Sequence, residues 1–395
     1  MDFKFTEEQE KFRQEVRDFL EEELRQGSFE PMSDSWIQGY STEFTKKVAQ
    51  KGWIGLTWPK EYGGQERSWM DRLILTEELL RYGAPAGWHW SSDRQMGPSI
   101  IKFGTEEQKR EFLPKIIRGE ISMAIGMSEP EAGSDMASLQ TRAVEDGDDY
   151  VIDGQKVWTG GAHHSNYIYL VVRTDPSFPP HDPKNFKGIS EFIVPTNLPG
   201  ITIKPMLDIA GREHFTEIFF DNARVPKRYL VGEKNRGFYQ IMEQLDYERA
   251  GIERLMSNYV VFAGLIEYAK KTYRNGKPLS KEPLIRDKLA ELQVEFEVGR
   301  LLIYRVAWVL DQGRAPNYEA AIAKIYCTDF EKRLANEAIE ILGLYGQLMP
   351  DSKYVPLSGN VILSYLFSPG YTIQAGTSEI LRSVIAQRGL GLPRE

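Results

Sequence analysis

Apolar residues recur at helical spacing from residue 3 to about residue 119, and the polar residues between them carry helix-end signals. Thr6-Glu7-Glu8 reads as the cap of a first helix, and Gly63-Gly64 and Gly104-Thr105 punctuate later ones. From about residue 123 to 231 the period shortens. Tyr150-Val151-Ile152 and Lys156-Val157-Trp158 read as strands of a hairpin around an Asp153-Gly154 turn. Residues 167–172, 189–194, 201–205 and 216–220 continue a β layer between Pro- and Gly-rich loops. From Phe238 onwards long helices return, with breaks near 276–283, 313–317 and 347–358. Helix, strand, helix predicts an α+β multidomain chain: an N-terminal α domain (1–121), a middle β domain (122–232) and a C-terminal helical bundle (233–395).

One position breaks the pattern. With 238–262 taken as a single helix at 100° per residue, Ile241, Leu245, Ile252, Leu255, Tyr259 and Phe262 form an apolar stripe with Glu248 near its centre. Glu243, Asp246 and Glu253 point to the opposite, solvated side. A carboxylate on an apolar face resists ionisation, which moves its pKa towards the range of a general base. The alternative is a structural carboxylate paired with Arg249 or Arg254.

Composition narrows the class. A chain of 395 residues, 41% hydrophobic, can bury a large core and is long for one domain. A net charge of −8 leaves no basic surplus for nucleic acid, although a phosphate-bearing small ligand needs only a few local cations or helix N-termini. The single cysteine, Cys327, cannot form an internal disulfide and fits a reducing compartment. The five histidines lack helical metal-ligand spacing, and the adjacent His163 and His164 read as loop residues. The opening residues read as an acidic amphipathic helix rather than a targeting peptide, and no apolar run reaches ~18 residues. These features predict a cytoplasmic protein without a membrane span.

Five ordered motifs then carry a resemblance over essentially the whole chain: G-W-I-G-L-T-W-P-K-E-Y-G-G (52–64), M-S-E-P-E-A-G-S-D (127–135) with K-V-W-T-G-G-A (156–162), V-P-K-R-Y-L-V-G (225–232), A-G-T-S-E-I-L-R (375–382) and L-G-L-P-R (390–394). Together they resemble the acyl-CoA dehydrogenase flavoproteins. The resemblance implies a middle β-barrel or sandwich-like domain, a C-terminal four-helix bundle, bound FAD and an acyl-CoA thioester substrate that loses its α and β hydrogens. It implies that Met127 and Ser128 bond the flavin ring, that Trp158 and Thr159 pack along it, and that Thr377 and Glu379 belong to the cofactor site. Ser134 would touch the CoA arm, while Asp246 and Arg249 hold its pantetheine and adenine end. Gly376-Thr377 at a helix start would turn backbone N–H groups towards the cofactor.

Two departures sharpen the expectation. Many members of the family carry a catalytic Glu where this chain has Ala375, whose backbone N–H can still donate to the thioester oxygen. A subset places the base on the first long helix of the C-terminal domain, and Glu248 matches that position. Thr272 and Asn275 stand where the family has an Arg and a Phe that grip a neighbouring subunit's FAD, Glu340 stands where it has a Gln, and Arg274 is the substitute cation. The chain therefore reads as an acyl-CoA dehydrogenase for bulky or branched acyl groups, passing electrons to an electron-transfer flavoprotein. A tetramer is expected, either heteromeric with a second chain of the same kind or a homotetramer that uses Arg274 as the cation. The competing readings are an acyl-CoA oxidase and a non-catalytic partner subunit.

Overall fold

A capping box opens the first helix, α1 (Glu7–Arg25): Thr6 accepts from the Gln9 amide, and the Gln9 side chain accepts from that of Thr6. In the computed structural model, residues 3–180, 182, 184–248 and 251–393 are described, with backbone alone at 246–248. After α2 (Ser35–Gln38) and α3 (Thr42–Gln50), boxes at Ser68/Asp71 and Thr105/Gln108 open α4 (Trp69–Arg81) and, further on, a helix at Glu106–Ile117. Between those two, α5 (Gly87–Ser91) runs through a π-helical turn at Ser92–Met96 into α6 (Gly97–Phe103); Glu106–Ile117 is α7.

The strands are β1 (Met123–Gly126), β2 (Arg142–Asp146), β3 (Asp149–Gly160), β4 (Tyr167–Arg173), β5 (Ile189–Pro195), β6 (Ile201–Met206), β7 (Phe215–Pro226) and β8 (Leu230–Val231). They form one sheet in the order β6-β7-β3-β2-β4-β5-β8, with β1 parallel to β4. The hairpin turn lies at Gly147-Asp148, since Asp146 pairs with Asp149. The expected turn at Asp153-Gly154 is instead a bulge inside the continuous strand β3. Gly154 has φ +144°, and a Cβ there would lie 2.6 Å from Thr141 Oγ1, so glycine marks close backbone approach rather than reversal.

The helix expected over 238–262 is three: α8 (Gly237–Glu248), α9 (Glu253–Met256) and α10 (Tyr259–Lys271). Ser257 and Asn258 compete with the helical ladder. Ser257 Oγ donates to the Glu253 carbonyl, while the Asn258 amide and side chain donate to Glu331 at 3.3 and 2.6 Å. Phase is lost across the breaks: Glu253, expected in solvent, is 4% exposed. The stripe residues Ile241, Leu245, Ile252, Leu255 and Phe262 are nonetheless buried.

The chain divides into two compact units, one of Met1–Gly39, Ser68–Pro85 and Arg249–Glu395, the other of Tyr40–Arg67 and Ala86–Glu248. In the first, a small hairpin of β9 (Tyr273–Arg274) and β10 (Lys277–Pro278) precedes α11 (Pro283–Asp311), α12 (Asn317–Leu342), α13 (Asn360–Tyr371) and α14 (Ser378–Val384). Helices α10 to α13 form a bundle whose core includes Phe262, Phe296 and Phe330, with ring centroids 5.3–6.2 Å apart. A buried charge network ties α1, α4 and α11 together. Arg13 reaches Glu77 at 2.7 Å and Glu78 at 2.5 Å, and Arg300 reaches Glu77 at 2.8 Å. Burial pushes the Glu77 carboxyl up, but Arg300 and Arg13 outweigh it and hold the group below its usual range. No helix among the described residues is long and apolar enough to cross a membrane.

In the second unit, Ile241 on α8 packs with Val171 of β4 and Ile189 of β5, and Met127 lies against the same cluster. Beside it Glu191 is fully buried, accepting from Gln240 at 2.6 Å and from Tyr169 at 3.4 Å. Burial raises its carboxyl to about 8.

Two stability predictions follow from these buried carboxyls. Arg13→Met leaves Glu77 and Glu78 short of a cation and should cost about 3–5 kcal/mol in denaturant unfolding at pH 7. Because the folded pKa of Glu77 is depressed, that difference should shrink as the pH falls through it. Glu191 has the opposite sign. Its raised pKa makes the native state bind the extra proton, so stability from this group is lost between the ordinary carboxyl pKa and about 8. Glu191→Gln should flatten that part of the pH–stability curve, and an unchanged slope would contradict the buried acid.

Candidate functional site

In the second unit the candidate site is built on two crossing stretches of backbone. The chain leaves β1 through Met127 and Ser128, and the Ser128 carbonyl accepts from Val157 N–H on β3 at 2.9 Å. Lys156 Nζ donates to the Met127 carbonyl at 3.0 Å. Met127, Ser128, Trp158 and Thr159 are therefore brought together, as the motifs imply.

The register of β3 against β7 slips between Lys156 and Thr159. At this bulge Trp158 has φ +60° and is 59% exposed, while Thr159 is 1% exposed. A left-handed backbone is unusual for so bulky a residue and costs on the order of 1–3 kcal/mol. It leaves the indole on the surface, with Phe215 edge-on at 5.7 Å. The Thr159 hydroxyl is buried and finds no hydrogen-bond partner among the described residues. An outward aromatic face beside a buried, unanswered hydroxyl fits a planar heteroaromatic ligand carrying polar edge atoms, as the isoalloxazine of FAD does.

Beneath this surface lies an ion pair that the sequence motifs contain but do not single out. Lys156 and Glu129 approach at 2.7 Å with 0% and 6% of their side chains exposed. The Glu129 carboxylate also accepts the N–H groups of Gln140 (2.6 Å) and Thr141 (2.9 Å). Burial pulls the Lys156 ammonium down to about 8 against the attraction of Glu129. For Glu129 burial acts upwards, but Lys156 and the donated hydrogen bonds outweigh it and the carboxyl lies below its usual range. At neutral pH both are charged. The available signal is a lysine inside a strand, directly before Val157 and Trp158.

Ser134 lies on an exposed turn. That region is secured by Arg173, which donates to the carbonyls of Ala137, Leu139 and Asn185 at 2.6, 3.1 and 2.9 Å. The side chains of Asp246 and Glu248, and Arg249 entirely, lie outside the described residues; the backbone of α8 runs through Glu248.

In the first unit, Ala375 (φ +56°) and Gly376 (φ +93°) turn the chain into α14, where the Thr377 hydroxyl accepts from Ile380 N–H at 3.3 Å. Thr377 is thus the expected N-cap. The fully buried Lys324 donates to the Gly376 carbonyl at 3.0 Å and fixes this turn from below. Glu379 is exposed in the first helical turn, held below the usual range by its own backbone N–H and by Thr377. Asn275 and Gly276, both with positive φ, make the two-residue turn between β9 and β10. On that hairpin Arg274 faces Glu282 at 3.4 Å. Glu340 pairs with Lys288, which lowers its pKa.

Comparison with known proteins agrees with the motifs. The N-terminal, middle and C-terminal domains described for acyl-CoA dehydrogenases match residues 6–120, 124–223 and 235–390. The acyl-CoA dehydrogenase FadE26 of Mycobacterium tuberculosis is 34% identical, over 100% of this chain and 99% of its own length. A solved structure described as the Tcur3481-Tcur3483 steroid ACAD superposes with a TM-score of 0.89 at 34% identity, covering 100% of both chains. The ChsE4-ChsE5 complex from Mycobacterium tuberculosis gives 0.86 at 34% identity, again over 100% of both.

Lys156→Met should strand the Glu129 carboxylate and cost about 3–5 kcal/mol, read by urea unfolding, with loss of copurified flavin. Thr159→Val should leave the melting temperature of the flavin-free protein level or slightly raised, since it removes a buried hydroxyl without a partner. Flavin per chain should nevertheless fall. Retention of flavin in both variants would remove this face from the cofactor site.

Proposed function

The chain belongs to the acyl-CoA dehydrogenase family of FAD-dependent flavoprotein oxidoreductases, and on that premise we propose how its own residues divide the reaction. The carrying observation is Ala375. The turn before α14 reads Gln374-Ala375-Gly376-Thr377, with no carboxylate to take a proton. Glu248 is our base: it closes α8, and helical geometry puts its position between Gln244 and the buried Ile241 and Leu245. The Ala375 N–H donates to the thioester oxygen, where negative charge grows as the α-proton leaves. Glu248 takes that proton, a double bond forms between Cα and Cβ, and the β-hydrogen departs with its electron pair. Bound FAD supplies the acceptor for that hydrogen and both electrons.

Met127 and Ser128 orient the cofactor through backbone and hydroxyl, Trp158 covers it, Thr159 answers a polar edge atom, and Thr377 and Glu379 are further cofactor-binding residues. Ser134, Asp246 and Arg249 hold the CoA arm. A bulky or branched acyl group is favoured by the steroid substrate named for one structural neighbour, and an electron-transfer flavoprotein serves as the acceptor. Heteromeric assembly is supported by neighbours that are two-chain complexes, and by the engagement of Arg274 and Glu340 within this chain.

Glu248→Gln keeps size but removes basicity. FAD and acyl-CoA should still bind, while flavin bleaching by substrate under argon slows by roughly 10² to 10⁴. Wild-type bleaching in this variant would move the base elsewhere, to a partner subunit if one is present. Expressed alone, the chain should give little flavin retention and low activity, restored by a second chain of the family. A soluble homotetramer with one FAD per subunit and full activity would exclude that assembly.

A further inference from the structure

The α8 helix carries two buried amides one turn apart, and they differ in how they are satisfied. Gln240 is 5% exposed and fully engaged: its Nε2 donates to Glu191 at 2.6 Å and to the Val231 carbonyl at 3.2 Å, and its Oε1 accepts from Glu233 N–H at 3.3 Å. Gln244 is 4% exposed, yet its Oε1 has no hydrogen-bond partner among the described residues. Its Nε2 has only a 4.0 Å contact with Met96 Sδ, a weak acceptor. Leaving an amide unanswered inside a protein costs about 1–3 kcal/mol, so such a group calls for a reason.

Position supplies one. Gln244 precedes Glu248 by one helical turn, about 6 Å along the axis and 40° around it. The residue it touches, Met96, closes the π-helical turn Ser92–Met96, an irregularity that often marks functional sites. Lys102 of α6 pairs with Glu243, holding α8 to this helix.

We propose that Gln244 is a specificity-determining residue whose carboxamide hydrogen-bonds an oxygen function on the acyl chain, a hydroxyl or ketone on the order of four to six bonds beyond Cα. This rests on Glu248 being the α-proton base, because the distance is counted from that residue. An amide can present either its oxygen to a hydroxyl or its NH2 to a ketone, so both oxygen functions are admitted. A site built to pair such a group discriminates against the analogue that lacks it more sharply than an apolar pocket discriminates by size.

The test uses the flavin-loaded protein, with its partner chain if one is required, and three thioesters: octanoyl-CoA and its (ω−1)-hydroxy and (ω−1)-oxo analogues. Wild type should favour at least one oxygenated analogue by about tenfold or more in kcat/KM. Gln244→Leu and Gln244→Met, checked for flavin content and melting temperature, should collapse that preference to within about twofold. Equal turnover of all three by wild type would mean the amide meets only water, and would overturn the proposal. So would a preference surviving in both variants, or uniform loss of activity with flavin and fold intact. Failure of every thioester to bleach the wild-type flavin would instead count against the proposed function.

Discussion

The contact between Lys156 and Glu129 is what the surface around Trp158 and Thr159 depends on. An ammonium and a carboxylate are taken almost wholly out of water, and what stabilises them is each other together with the Met127 carbonyl and two backbone N–H groups. Those same bonds join the stretch after β1 to the middle of β3. A purely apolar pair could fill the space, but it would not fix which carbonyl faces which strand. The bulge that leaves Trp158 outward and Thr159 inward sits directly above this pair.

The first unit uses the same device with different partners. Glu77 and Glu78 hold α1 and α4 through Arg13, and α11 through Arg300. Between α9 and α10, Asn258 turns its amide and side chain to the buried Glu331 and also meets Tyr371 at 3.2 Å. These polar contacts set directions that apolar packing alone leaves open, because a leucine tolerates small rotations that a hydrogen-bonded carboxylate does not.

Periodicity and end signals are enough to read β4 to β7, the helix starts at Thr6, Thr105 and Thr377, and the breaks after Lys271 and Asp311, but not β1, β2 or the continuity of β3. They fail at residues 251–258, where a nearly unbroken apolar rhythm conceals the break between α9 and α10. The rhythm survives because α9 and α10 each bury apolar residues; between them stands Asn258, whose partner Glu331 is 73 residues away in sequence. The Gly154 bulge was misread for a similar reason: the glycine answers to Thr141, a cross-strand neighbour invisible to local turn rules. Lys156 looked like part of a motif, and only the burial of Glu129 beside it shows that the lysine is a foundation rather than a surface charge.

Trp158 leaves the chain little evolutionary freedom. Its backbone lies in a region that glycine enters without strain, yet glycine would forfeit the aromatic surface that gives the bulge its use. Any smaller side chain would keep the conformational penalty and lose part of the return, and a straightened strand would exchange the inward threonine for something else. No single substitution improves the fold and the surface together. The position holds an exposed aromatic face against the preferences of the backbone, and a change of conformation there would have to begin with the neighbouring residues, not with the tryptophan.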